Sequence, residues 1–332
     1  MEIKRLGLEE WERALPATDT EPFYRPAALS VLDDHAAGEL RLLGGFKGDR
    51  PVGLLPVFVR SLPASRAVVS PPPGLGVPRL GPIVMPASPK RRKRERVNRT
   101  FIEGVFEELG VERRLTMTRI VGSPAYVDPR PFRWQSLSVS TSFTYRVDAT
   151  DPETTRAEFS KSLRREIRDA EALDVTVERE GATGAASVYR DAADRYDDQG
   201  ESLCFTAEYV DDLVTALDDR ARTYVARDGD GDYLGGIVVV YSGDAAYFWL
   251  GGTKAVHEGT SINSLIHWHI LEDIAEDPPV ETVTEYDLMG ANTERLCQYK
   301  AKFGGDLVPY YVVESDGLLL PLAKRAYQLA VK

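Results

Sequence analysis

Thr223-Tyr-Val-Ala-Arg227, Asp228-Gly-Asp-Gly-Asp232 and Tyr233-Leu-Gly-Gly-Ile-Val-Val-Val-Tyr241 read as strand, turn and strand, preceded by a helix that ends in Asp218-Asp219. The Asp/Gly cluster supplies the turn, and the β-branched and aromatic runs on either side supply the strands. An earlier stretch repeats the pattern. A helix ends in Asp33-Asp34, then come Arg41-Leu-Leu-Gly-Gly-Phe-Lys47, a turn at Gly48-Asp49, and Pro51-Val-Gly-Leu-Leu-Pro-Val-Phe-Val59. The offset is 182 residues both from Phe23 to Phe205 and from Gly53 to Gly235. A helix and hairpin matched at one offset point to two copies of one mixed α/β unit. The chain has 332 residues, which suits two domains at roughly 100–200 residues each. The expected division is 1–140 and 141–332.

Outward from the second hairpin, Ala245-Ala-Tyr-Phe-Trp-Leu250 is a strand, a loop leads to a helix over 260–275, and Thr282-Val-Thr-Glu-Tyr-Asp-Leu-Met289 is the next strand. Strand, loop, helix, strand is a crossover unit, with the loop at a strand's carboxyl end, where open α/β sheets bind ligands. In the first copy a Pro/Gly-rich stretch, 70–82, leads to a helix over 89–109 and a strand over 115–121. Pro71-Pro72-Pro73 offers few N–H groups to a bound ligand. Between the copies, Phe159, Leu163, Ile167 and Ala170 recur at helical spacing, opposite Lys161, Arg164, Arg165 and Arg168. A last amphipathic helix is expected over 318–331, packing back on the first domain.

The net charge is −11, which repels phosphate backbones at long range and disfavours a general nucleic-acid binder. The acid excess is rich in Asp and Arg outnumbers Lys, a bias that suits a high-salt cytoplasm. No apolar run approaches the ~20 residues of a membrane span, and the first residues lack the apolar core of a signal peptide, so a cytoplasmic location is expected. Cys204 and Cys297 show neither disulfide nor metal-ligand spacing, and Cys204, between Leu203 and Phe205, reads as a small buried hydrophobe. His267 and His269, two apart on a helix, face different directions and form no metal pair. Lys90-Arg-Arg-Lys-Arg-Glu-Arg-Val-Asn-Arg99 is the sharpest charge run; a polyanion contact and a solvated helix end both fit it.

The second half resembles the FemABX acyltransferases and their BioF2-like relatives in the GNAT (N-acetyltransferase) superfamily. The resemblance rests on three segments: Lys161-Ser-Leu-Arg-Arg-Glu-Ile-Arg-Asp-Ala-Glu171, Gly259-Thr-Ser-Ile-Asn-Ser-Leu-Ile-His-Trp268, and Tyr286-Asp-Leu-Met-Gly-Ala-Asn292 followed by Tyr299-Lys-Ala-Lys-Phe-Gly-Gly305. It implies an α/β fold of two tandem GNAT-like domains, the first of which, with its Pro71-Pro72-Pro73 loop, is expected to bind no acyl donor of its own and to help form the acceptor groove instead. The implied activity is acyl transfer from acyl-CoA to an amine, with no metal, or alternatively from aminoacyl-tRNA, which the overall acidity disfavours. A non-catalytic binding module is a third reading. The family's aromatic-Lys pair at the transfer site falls on Tyr299 and Lys300, with Tyr where Phe is usual.

Direct attack on a thioester needs an anion cradle, donors for the oxyanion and a proton route. Gly259, Thr260, Ser261 and Asn263, at a helix opening, are the candidate donor-binding residues; a plain Ser/Thr N-cap is the rival reading. Lys300 is a candidate cation for the developing charge and Tyr299 a candidate proton donor. Asp287, on a buried strand, is either a base or a carboxylate orienting Lys300 or Arg164; Glu285 is a rival base. Arg164 and Arg165 either bind an anionic substrate group or pair along their own helix. Trp249 and Tyr247 share a strand face and line either an acyl pocket or the core.

Overall fold

The computed structural model describes residues 1–17, 20–62, 65–85, 88–111, 116–251 and 255–315. The chain divides into two compact units, one of residues 1–17, 23–142 and 309–332, the other of 18–22 and 143–308. The segment expected to form a helix over 318–331 lies outside the described residues.

The first unit holds β1 (Glu2–Leu6), α1 (Leu8–Ala14), α2 (Pro26–His35), β2 (Glu39–Lys47), β3 (Arg50–Ser61), β4 (Arg66–Ser70), β5 (Ile83–Val84), α3 (Arg91–Leu109), β6 (Thr116–Val121), α4 (Arg130–Trp134) and the start of β7 (Leu137–Asp148). Its strands run β1-β2-β3-β4-β6, with β5 on β3. Beyond β6 lies the later part of β15 (Asp306–Ser315), with Val312 opposite Val121. The core sits under α3: Phe101, Ile102, Val105 and Phe106 pack on Leu43, Leu55, Val57 and Val68. The apolar positions of α3 recur at three- and four-residue spacing, and Gly110, at φ 60, ends it in the left-handed conformation that glycine adopts freely.

The second unit holds α5 (Pro152–Glu158), α6 (Lys161–Glu171), β8 (Val175–Glu180), α7 (Ala182–Asp198), α8 (Ala207–Leu217), β9 (Ala221–Asp228), β10 (Tyr233–Tyr241), β11 (Ala246–Gly251), β12 (Val256–His257), β13 (Thr260–Ser261), α9 (Ile262–Glu276), β14 (Glu285–Asp287) and α10 (Glu294–Lys300). The strand order is β7-β14-β11-β10-β9-β8. Leu163, Ile167 and Ala170 of α6 and Ile262, Ile266, Ile270 and Ile274 of α9 cover one face of this sheet, against Tyr224, Ile237, Val239, Tyr241 and Tyr286. α9 is buried on nearly every side, the pattern of a helix enclosed by protein rather than laid on a surface.

The repeat seen in the sequence is present in both units, and it extends beyond the hairpin. Each unit runs helix, hairpin, strand, helix, strand, and the last two strands lie parallel: β4 beside β6, and β11 beside β14. The copies differ where those parallel strands meet. β4 and β6 pair along all five residues of β4, from Arg66–Thr116 to Ser70–Ile120. β11 and β14 pair only at Ala246–Tyr286 and Tyr247–Asp287. The strand expected over 282–289 therefore shrinks to three residues, because no partner ladder continues past Asp287. The parallel ladder is thus shorter in the second unit and ends at Tyr247 and Asp287, while β11 runs on to Gly251.

Candidate active site

Two segments meet beyond the end of β14: the turn that follows it and the end of α10. Met289 and Gly290 both have positive φ, 55 and 66. The turn is held by hydrogen bonds from the Met289 amide to Asp287 Oδ1 at 2.8 Å and from the Ala291 amide to Phe143 O at 2.7 Å. It presents the carbonyls of Met289 and Gly290 to Lys300, whose Nζ donates to both, the second at 2.8 Å. Lys300 is 5% exposed, so it is not the surface lysine that Lys302 nearby suggests. Burial pulls its pKa down to about 8, against a smaller opposing pull from Asp287. An ammonium has three donors; two go to the turn and the third remains for a ligand. The Phe248 ring lies 5.8 Å from Nζ.

Tyr299, one position earlier on α10, faces α9. Its hydroxyl accepts from Asn263 Nδ2 at 2.8 Å, so its own proton is left to donate elsewhere. Burial holds this phenol protonated well above the ordinary tyrosine range. Asn263, in the first turn of α9, thus directs its amide to Tyr299. Beside it, His267 is fully buried among Phe248, Phe303 and Tyr299. Its Nδ1 lies 3.0 Å from Tyr286 Oη and its Nε2 has no hydrogen-bond partner among the described residues. Burial, helped by the Lys300 charge, lowers its pKa to about 3.

Asp287 is fully buried. Its Oδ1 accepts from Thr144 Oγ1 at 2.5 Å, and its Oδ2 lies 3.5 Å from Arg146 Nε. Arg146 also reaches Glu285 and Asp244, each at 2.9 Å, and Tyr247 Oη at 3.4 Å. Asp287 thus pairs with Arg146, which the sequence did not point to, and also acts electrostatically on Lys300. Glu285 belongs to the same cluster. Arg146 was missed because its acidic neighbours are about a hundred residues away in sequence and nothing local flags β7.

The helix opening departs from its sequence reading. Glu258 and Gly259 form the two-residue turn of a small hairpin, with φ 47 and 81, and Thr260 and Ser261 are its second strand. α9 starts at Ile262, whose amide bonds Ala255 O at 3.0 Å, and Ser261 makes no side-chain cap. Gly259 has open space around it, so glycine is needed there for the turn. The α6 helix packs against β13. On α6, Glu166 bonds Ser264 at 2.8 Å and Lys302 at 3.1 Å. Arg165 is exposed and lies 4.0 Å from Asp169 along its own helix. Arg164 is half-buried and has no ionic partner among the described residues.

Trp249 and Tyr247 separate from this group. Trp249 sits at the register shift in β11, between Phe248 and Leu250, and stacks on Phe205 at 6.1 Å with Tyr209 edge-on at 6.0 Å. Tyr247 is fully buried and its hydroxyl donates to Asp244. Tyr247 thus joins the Arg146 cluster, and Trp249 packs on Phe205 and Tyr209. Phe205 turns inward to meet Trp249, which leaves Cys204 exposed rather than buried.

Residues 157–301 match the family model described as the acetyltransferase (GNAT) domain. No match was found among curated protein sequences. The fold is similar to that of FemX, with a TM-score of 0.69 at 12% identity over 100% of both chains. It is also similar to the C-terminal domain of a putative lysylphosphatidylglycerol synthetase from Agrobacterium fabrum, at 0.57 and 12%, covering 97% of this chain and 96% of that one. A tandem GNAT protein from the clavulanic acid biosynthesis pathway gives 0.50 at 15%, over 94% and 97% of the two chains. Residues 157–301 thus carry a GNAT-type acetyltransferase domain, in a chain whose fold is similar to that of FemX over its full length.

Proposed function

We propose that the chain transfers an acyl group from acyl-CoA to an amine acceptor by direct attack, with the thioester lying between the carboxyl ends of β11 and β14. The amine nitrogen bonds the carbonyl carbon, charge builds on the carbonyl oxygen, the C–S bond breaks and the thiolate takes up a proton. Lys300, cationic and with one donor uncommitted, faces the oxyanion. Such a preset charge in a water-poor site contributes more than it would in bulk water. Tyr299, its oxygen already served by Asn263, donates the proton to the thiolate and takes back the proton that the attacking nitrogen sheds. Asp287, with Arg146, fixes the 289–290 turn that holds Lys300. Arg164, unpaired beside the hairpin before α9, is the cation for the donor's phosphates.

The observation that carries this reading is the two-residue pairing of β11 with β14 beside a buried lysine. In the first unit the matching strands pair along all of β4, which supports a single donor site per chain. Calorimetric titration with CoA and acetyl-CoA tests it. Micromolar binding that is weakened tenfold or more in Arg164→Ala and kept in Lys300→Ala, with transfer lost in Lys300→Ala, is expected. The likeness to FemX over the full chain favours aminoacyl-tRNA as the second donor to try. Transfer from aminoacyl-tRNA together with no binding of CoA in the titration would replace the first reading.

A further inference from the structure

The run from Lys90 to Arg99 carries seven cations and one carboxylate in a chain whose net charge is −11. Residues 90–94 are exposed all round, so the first turn of α3 stands clear of the core that Val97, Phe101 and Ile102 enter. Arg91 pairs with Glu95 at 3.0 Å and Arg99 with Glu103 at 2.7 Å. Lys90, Arg92, Lys93, Arg94 and Arg96 have no acidic partner among the described residues, nor does Arg133 on the adjoining α4. No acidic residue occupies the first turn of α3, where the helix dipole disfavours cations. The cluster thus opposes the helix that carries it unless an anion is near.

Apolar tips stand among these charges. Trp134 is 54% exposed and Val127 70%. The indole is flanked by the guanidiniums of Arg99 and Arg130 at 5.9 and 5.8 Å. α4 is locked to α3: Arg130 reaches Glu95 at 3.0 Å, and Asn98 Nδ2 donates to Asp128 O at 2.8 Å. Cations and apolar tips therefore form one rigid surface. A single-stranded nucleic acid is held by a groove with open aromatic faces. Here the cations crowd one exposed helix turn, and the exposed Trp134 ring is shared by two guanidiniums. Tryptophan with arginine and lysine at one level is the pattern that suits a lipid headgroup layer.

We infer that this face of the first unit docks on an anionic lipid surface, with phosphates contacted by Arg92, Lys93, Arg94 and Arg96 and with Trp134 and Val127 at headgroup depth. The inference is independent of the acyl-transfer reading, because the test needs no donor or acceptor. Full-length protein is sedimented with vesicles of equal parts phosphatidylglycerol and phosphatidylcholine, and with phosphatidylcholine alone. Binding only to the anionic vesicles, weakening as salt rises from about 0.1 to 1 M and the screening length shrinks from about 10 to 3 Å, is expected. Each cation near such a surface changes partitioning about fivefold, so Arg92→Gln/Lys93→Gln/Arg94→Gln should lower it roughly a hundredfold, with circular dichroism unchanged. Anionic vesicles should shift tryptophan emission to the blue, and Trp134→Phe should remove the shift. Equal binding to both vesicle types, or full binding by the triple variant, overturns the inference. So does a structured RNA that strips the protein from vesicles at equal phosphate concentration.

Discussion

Lys300 is both the charge the reaction uses and a titrating group. Its pKa near 8 lies below the lysine reference of about 10.4, so the charged form is lost as pH rises through 8. If the cation opposes the oxyanion, kcat/KM should fall tenfold per unit above pH 8. In Lys300→Arg the alkaline limb should vanish even where the absolute rate drops, since a guanidinium stays charged; a limb unchanged in that variant would assign it to another group. His267 titrates in the opposite range. Its folded pKa near 3 lies below the unfolded value of about 6.5, so the unfolded chain binds the extra proton between them. Its contribution is fully present above pH 6.5 and declines as pH falls toward 3, by about 4–5 kcal/mol in all. Urea denaturation of His267→Phe should show a shallower loss of stability across that window than the parent. Arg146 answers a third question. Arg146→Met leaves the fully buried Asp287 without its cation and should cost about 3–5 kcal/mol. Adding Asp287→Asn should restore most of that, because the amide oxygen still accepts from Thr144 and Met289. Additive losses in the double variant would mean that the two residues are not coupled.

At the scale of elements, what could be read in the sequence follows the size of the buried side chains. The hairpins β2–β3 and β9–β10 and the helix α9 announce themselves by runs of Val, Ile, Leu and Tyr. α7 does not, since the residues it buries are Gly184, Ala185, Val188 and Ala192, too small to mark a period among so many aspartates. β7, and Arg146 on it, went unread because most of the strand is polar or half-exposed and its meaning lies in β14, far along the chain. The helix opening misled for a different reason: Gly-Thr-Ser before an apolar run spells a cap, yet the same glycine serves a two-residue hairpin turn. Gly53 tests how tightly an element is fixed. A Cβ there would lie 2.6 Å from the Phe101 ring, closer than packed atoms come, so α3 would have to lift from β3. Gly53→Ala should cost about 1–3 kcal/mol in a urea titration. A neutral result would mean that α3 slides freely over the sheet.

Across the whole molecule the charge is unevenly held. Part of the net −11 sits on neighbouring helices: α7 carries Asp191, Asp194, Asp197 and Asp198 against Arg190 and Arg195, and α8 carries Glu208, Asp211 and Asp212. These helices are tied by Tyr189 Oη to Phe205 O at 3.0 Å and by the Tyr189–Phe205–Tyr209 ring contacts, so packing works against repulsion between the carboxylates. The opposite sign is gathered at the start of α3. Exposed charges of one sign destabilise the compact state by self-repulsion, and salt removes that penalty as the screening length falls from about 10 Å at 0.1 M to 3 Å at 1 M. The cost should fall on α7 and α8 first. The thermal midpoint should therefore rise by several degrees between about 0.1 and 1 M KCl. In Asp194→Asn/Asp198→Asn/Asp211→Asn the midpoint should start higher and climb less. A rise as large in that variant as in the parent would place the salt effect in hydrophobic burial, which salts strengthen wherever the charges lie, and would leave the acidic helices without a part in it.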